Sequence, residues 1–303
     1  MHGQRAFSLQ SPKGPAMGLY ELDVDPLCPM SALQKRFSLC LGFRIRALRI
    51  CRGMAQDELS KKVGLSKYQM HRIETGENVH STCYADIIRL ACALDVAPIA
   101  LVPRSTDLSH GWENETDCLL FSEPDNALRL AVYLLQSDPE TMDSIEARLN
   151  CDAAPMTDDY LQPWNVTALP APIQADLSSI KGHHKSKSVS RIDIHLILKA
   201  VRQHRRITVV DLAGRTRMNK YGLRDFEKAD STVALWRVVA IARALYINLA
   251  DLFPDDAAQT KDRSASKYAS PDVTKMNRAM DCVWAWSQVK NAKTRHAIID
   301  GNL

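Results

Sequence analysis

Apolar positions recur at helical spacing along most of this chain, and strand-like alternation is absent. The helical pattern sets in at Ser38, with Leu41, Ile45, Leu48 and Arg49 on one face at i, i+4, i+7 and i+8, and continues in short blocks to about Val102. PDNALRLAVYLLQ (124–136) and PETMDSIEARLN (139–150) each open on proline followed by polar or acidic residues. That is the signature of a helix start, and the two together predict a helical hairpin. A second helical block runs from Arg191 to about Pro254. An amphipathic segment from Pro271 to about Ile299 closes the chain, with Val273, Met276, Met280, Val283 and Trp284 sharing a stripe. This stripe either docks on the chain's own domain or forms a dimerisation surface.

The pattern predicts an all-α protein with the following order. Residues 1–34 form a disordered arm rich in Gly, Pro and Ser; 35–104 a first helical domain; 105–151 an acidic helical hairpin connector. Residues 152–190, with LPAP and KGHHKSKSVS, read as linker; 191–254 form a second domain and 255–303 a tail with the amphipathic helix.

The two domains repeat one another. KYQMHRIE (67–74) returns as KYGLRDFE (220–227), and the same offset of 153 carries Arg49 to Arg202, Leu59 to Leu212, and Leu41, Ile45 and Leu48 to Ile194, Leu198 and Val201. Beyond the octapeptide the offset falls to 151, so that ACALDV (91–96) meets ARALYI (242–247) and Leu101 meets Leu252. The change falls in a loop, where length variation costs least. Matched core positions, a shared Arg and Glu, and a loop-confined gap indicate duplication.

Charge sharpens the picture. The net charge is only +4, but Lys and Arg crowd 35–104 and 181–228 around an acidic 105–160. Two basic blocks suit a polyanion such as nucleic acid. The eight cysteines contain no C-x-x-C pair, which fits neither a disulfide framework nor a zinc module. His183 and His184 lack a cysteine or carboxylate at ligand spacing, and no P-loop, nucleophile elbow or acid/base pair occurs. Catalysis, metals and cofactors are therefore not expected. The apolar runs are too short to span a bilayer, so a cytoplasmic location away from membranes is expected.

Residues 41–102 resemble the helix-turn-helix domain of the phage-repressor and Cro family, also called the xenobiotic-response-element family. The likeness rests on Arg49 ahead of Gln56, then Glu58-Leu59, Gly64-Leu65-Ser66, Ile73-Glu74, Gly76 and the helix around Leu90-Ala91-Cys92-Ala93-Leu94. The residues themselves agree with it. A helix from about Gln56 to Val63 must stop sharply, and Gly64 supplies the left-handed backbone; Ser66 can cap the next helix. On that helix Met70 and Ile73 point inward, while Lys67, Tyr68, Gln69 and Arg72 face out near the end that enters a major groove. Gln69 suits adenine and Arg72 or Lys67 guanine, each good pair contributing roughly 1–3 kcal/mol of discrimination. Tyr68 suits a thymine methyl or a phosphate.

The resemblance further implies that Gln56 binds phosphate and braces the reading helix, that Asn78 or His80 adds backbone contacts, and that Arg49 and Glu74, with Arg202 and Glu227, are structural ion pairs. The second copy departs from the pattern: Gln56 becomes Val209, Gly64 becomes Arg217, Gln69 becomes Gly222 and Arg72 becomes Asp225. Arg215, Arg217, Lys220, Tyr221 and Arg224 keep it basic, and Asn219 can cap its helix. It either contacts DNA with lower specificity or serves as scaffold or dimer surface.

The expected function is that of a sequence-specific transcriptional regulator, a repressor or an activator, whose partner is double-stranded DNA. By analogy it is bacterial or carried by a mobile element. It binds either two half-sites with one chain or as a homodimer assembled through 191–299. A reading from another class is a protein-interaction module, such as an antitoxin or co-regulator.

Overall fold

The expected helical blocks are helices in the computed structural model, which describes residues 30–77, 82–104, 107–108, 123–149, 194–228, 234–245, 247, 252–253, 271–289 and 291–300. Among these residues the protein is all-α, with no strand and one isolated backbone bridge. The first half holds α1 (Met30–Cys51), α2 (Gln56–Val63), α3 (Lys67–Glu74), α4 (Tyr84–Leu94) and the short α5 (Pro98–Leu101). Phe37, Leu41, Ile45 and Leu48 of α1 are buried with Leu59 and Val63 of α2, Met70 and Ile73 of α3, and Ile87, Leu90 and Leu94 of α4. The heptad-like spacing of each short helix thus delivers one apolar face to a common core. Gly64 ends α2 at φ 70°, ψ 31°, a left-handed conformation that glycine adopts without steric cost.

Next come α6 (Pro124–Gln136) and α7 (Pro139–Arg148), each opening on its proline. The second half holds α8 (Ile194–His204), α9 (Val209–Thr216), α10 (Lys220–Glu227) and α11 (Leu235–Ala244). At the offset of 153, α9 and α10 begin and end on the residues equivalent to the ends of α2 and α3, and α8 ends on the equivalent of Cys51. The packing repeats as well: α8 lies on α10 as α1 lies on α3, and α9 on α10 and α11 as α2 lies on α3 and α4. Two helices, α12 (Pro271–Ser287) and α13 (Ala292–Ile299), complete the described chain.

Three features differ from the expected layout. The helix reaches back to Met30, so the last residues of the expected arm 1–34 belong to α1. The segment expected as a connector is part of the core, because α6 packs along α1, burying Leu128, Ala131 and Leu135. The C-terminal stripe of Met276, Met280, Val283 and Trp284 is buried, and α12 lies on α6 and α5, in the first half and not on the second domain. A homodimer through 191–299 would therefore have to form without that apolar stripe. Residues 1–29, the expected linker 152–190, Asn78, His80, His183 and His184 lie outside the described residues.

The two halves meet at α4 and α11. Cys83 and Ala234 form an antiparallel bridge, and the Leu235 N–H donates to the Thr82 carbonyl at 3.0 Å. The Tyr84 hydroxyl donates to the Leu252 carbonyl, and its ring stacks on Phe253 with centroids 5.1 Å apart. Arg243 donates from the second half to the Pro103 carbonyl at 3.2 Å.

A buried charge cluster joins the ends of the chain. Asp107 is fully buried; its Oδ2 accepts from Arg44 of α1 at 2.5 Å, and its Oδ1 accepts from Arg104 at 3.0 Å and from the Trp284 indole of α12 at 3.2 Å. Arg44 also donates to Asn277 of α12 at 3.0 Å and to the Ala100 carbonyl at 3.0 Å, while Arg104 pairs with Asp281 at 2.5 Å. Burial alone would raise the Asp107 carboxyl, but the charges of Arg104 and Arg44 outweigh it and hold it well below the usual carboxylate range. A depressed folded-state value means that its stabilisation is full above the unfolded carboxylate range, about pH 4, and is lost as pH falls below it. Asp107→Ala leaves the buried Arg44 without a carboxylate and Arg104 with Asp281 alone, and the expected loss is about 3–5 kcal/mol. Urea denaturation at neutral pH checks this; repeated in strong acid, the wild-type and variant curves should converge.

Candidate nucleic-acid interface

The two short helices α3 and α10 carry the residues singled out in the sequence. On α3 the Ser66 hydroxyl accepts from the Gln69 N–H at 3.1 Å while Gln69 Oε1 accepts from the Ser66 N–H at 2.9 Å, closing a capping box. Met70 and Ile73 face the core, and Lys67, Tyr68, Gln69 and His71 are exposed, Tyr68 at 67%. The Arg72 guanidinium lies 5.6 Å from the Tyr68 ring centroid. A cation, an aromatic hydroxyl and an amide thus share the start of a helix, where the dipole favours an anion. Gln69 departs from expectation: its carbonyl is engaged in the cap, so bidentate pairing with adenine requires the cap bond to open. His71 was not anticipated, although its position one residue past Met70 on the exposed side could have shown it.

The helix is pinned from behind. Arg49 Nε and Nη2 donate to the two oxygens of Glu74 at 2.6 and 2.9 Å, and Arg49 Nη1 donates to the Met54 carbonyl at 2.8 Å. Gln56 Nε2 adds a third bond to Glu74 at 2.9 Å, so Gln56 braces α3 to α2 as the resemblance implied. The Glu74 side chain is only 2% exposed, so its charge depends on these donors. Gly42 supplies the clearance: a Cβ there would stand 2.3 Å from the Ile73 carbonyl oxygen and 2.7 Å from that of Glu74. The sequence signal for it was a glycine within an otherwise apolar helical pattern. Arg89 was also missed; it donates to the Val63 carbonyl at 3.0 Å and pairs with Asp86, tying α4 to the end of α2.

The second copy reproduces the scaffold with other surface groups. Arg202 grips Glu227 at 2.5 and 2.8 Å and donates to the Ile207 carbonyl at 2.8 Å, atom for atom the bonds of Arg49. Val209 cannot supply the Gln56 bond, but Thr208 and Asp211 form a capping box on α9 that Ala55 cannot form on α2. Asn219 Oδ1 accepts from the Tyr221 N–H at 2.9 Å, capping α10. Lys220, Tyr221, Arg224 and Asp225 are exposed, and the Lys220 ammonium lies 5.0 Å from the Tyr221 ring centroid.

Two left-handed positions that glycine fills in the first copy are held by arginine in the second. Gly53 (φ 64°) corresponds to Arg206 (φ 54°), and Gly64 corresponds to Arg217 (φ 51°). A side chain costs roughly 1–2 kcal/mol in this region. Both side chains are exposed, as is that of Arg215.

No family model, curated protein or solved structure matches this chain. Among the described residues no group of three His, Cys, Asp or Glu residues is placed to hold a metal, and no helix is long and apolar enough to cross a membrane.

Two substitutions test this account of the scaffold. Glu74→Ala leaves Arg49 partly buried without its carboxylate, and denaturation should show a loss of about 3–5 kcal/mol. Arg217→Gly relieves the left-handed strain at the cost of a more flexible unfolded chain, for a net gain of about 0.5–1 kcal/mol. An unchanged or lowered denaturation midpoint would show that the arginine makes up that strain through its own contacts.

Proposed function

We propose that the protein is a sequence-specific DNA-binding transcriptional regulator built from two helix-turn-helix units, α2–α3 and α9–α10, with α3 as the principal reading helix. The observation that carries this reading is the mounting of α3: a short helix with a capped N-terminus, buried Met70 and Ile73, a rear face locked by Arg49, Gln56 and Glu74, and an outer face of Lys67, Tyr68 and Gln69 with Arg72 half-buried beside Tyr68. Such a head holds its side chains in fixed register, which base-edge recognition in a major groove demands. Ser66 and the first N–H groups of α3 suit a phosphate, and Lys67 or Arg72 suits a guanine. Occupancy of an operator then blocks polymerase where the site overlaps a promoter and recruits it where the site lies upstream. A cytoplasmic, DNA-facing protein of this kind needs no catalytic group.

Selection of bound duplexes from a random library tests the reading. Wild-type protein should enrich one motif, and Lys67→Ala/Arg72→Ala should relax it, each lost base contact removing roughly 1–3 kcal/mol of discrimination. Gln69 is left in place because its removal would also weaken the start of the helix. Affinity for the motif should fall steeply with salt, with log K dropping about 0.9 per phosphate contact. If no motif is enriched and a protein partner binds independently of salt, the interaction-module reading replaces this one.

A further inference from the structure

The bridge between the two halves joins equivalent residues. Cys83 and Ala234 are separated by 151, the offset that aligns ACALDV with ARALYI. When a residue pairs antiparallel with its own equivalent, a local twofold axis passes between them, as in an isologous dimer interface. The surrounding contacts run in both directions between the same elements, each half's fourth helix reaching the end of the fifth-helix region of the other. Tyr84 of the first half reaches Leu252 and Phe253, the equivalents of Leu101 and Val102. Arg243 of the second half reaches back to Pro103, the residue after Val102. Helix α4 packs on α11, which is its own counterpart.

We propose that the chain is an intramolecular dimer whose ligand is a duplex carrying two inverted, non-identical half-sites, both occupied by a single chain. The proposal rests on the DNA-reading assignment of α3. A twofold axis relating the units relates α3 to α10, and two heads so related meet the duplex in opposite directions, matching its own dyad, with half-sites about one helical turn, ~34 Å, or a multiple apart. Their chemistry makes the halves differ. Where α3 carries Gln69, His71 and Arg72, α10 carries Gly222, Arg224 and Asp225. Replacing Arg72 with Asp225 exchanges a guanine donor for a group that accepts only from a cytosine amino group. Arg206 and Arg217, which replace Gly53 and Gly64, add positive charge for the backbone. An inverted operator for this protein is therefore symmetric in geometry and asymmetric in sequence. A homodimer of one unit would need the same sequence in both halves.

The interface is tested without DNA by Ala234→Cys in the full chain. Directly opposed residues in such a pair have Cα atoms about 4.5–5.5 Å apart, within reach of a disulfide. Burial, with the Asp86 carboxylate beside it, pushes the Cys83 thiol up to about 11. Oxidation is therefore run at mildly alkaline pH, so that the introduced thiol supplies the attacking thiolate. The expected result is a monomer of altered mobility on a non-reducing gel, absent from Cys83→Ser/Ala234→Cys. No cross-link, or a cross-linked two-chain species, overturns the internal dimer.

The ligand is tested by duplex selection and by the mass of the complex. One chain per duplex and a motif of two unlike inverted halves are expected, and Gly222→Gln/Asp225→Arg should shift the second half towards the inverted copy of the first. A motif with parallel halves, or a single half-site, overturns the inverted arrangement and leaves the DNA reading standing. An intact cross-link with no motif sinks the DNA reading and leaves the internal dimer standing.

Discussion

A carboxylate with almost no access to water fixes the geometry of each unit. Glu74 and its counterpart Glu227 close their helices, and each is held by both ends of an arginine fork from the helix behind. The same arginine reaches the carbonyl of the loop that follows its own helix, Met54 in one unit and Ile207 in the other. One side chain therefore sets the distance between two helices and the path of the loop beside them. Surface groups can change freely around such a frame, and between the two copies they have changed: amide to glycine, arginine to aspartate, glycine to arginine. The conserved frame and the altered outer face separate the part of the unit that holds a shape from the part that gives it a preference.

The second organising element is the charge cluster around Asp107. Three charged groups and an indole are buried together, which is tolerable because the Asp107 carboxylate at their centre accepts from Arg44, Arg104 and Trp284. These partners come from α1, the segment after α5, and α12, which are remote in sequence. The cluster thus does for the whole first half what the arginine forks do within each unit. It also explains why α12 is seated on the first half, although the second half lies nearer in sequence.

Much of the fold could be read from one sequence because its signals are local or repeated. Leu59, Met70 and Ile73 sit at helical spacing, Gly64 and Ser66 announce a turn and a cap, and the offset of 153 transfers these boundaries to the second half with no residue of error. The contacts that escaped are those in which distance along the chain carries no pattern. Asp107 is one acidic residue in an acidic stretch, and nothing local distinguishes it from a solvated one. Gln69 was legible as an outward amide, but its engagement in its own helix start is set by backbone geometry. The α4–α11 contact involves small and aromatic residues whose partners lie in the other copy. Arg217 stood in the sequence as a departure from the turn glycine, whereas the backbone keeps the left-handed conformation there, as it does at Arg206.

The position of α12 also bears on how the chain is made. Synthesis proceeds from the N-terminus, and domains ordinarily fold as units in that order. Here Arg44, Arg104 and Asp107 emerge long before Asn277, Asp281 and Trp284, and α6 waits equally long for the helix that covers it. Until the last helices leave the ribosome, the first half carries a partly satisfied charge cluster beneath an uncovered apolar face. The core of the first half is thus completed only after α12 has been made, and a chain cut short before residue 271 would lack the helix that seals it.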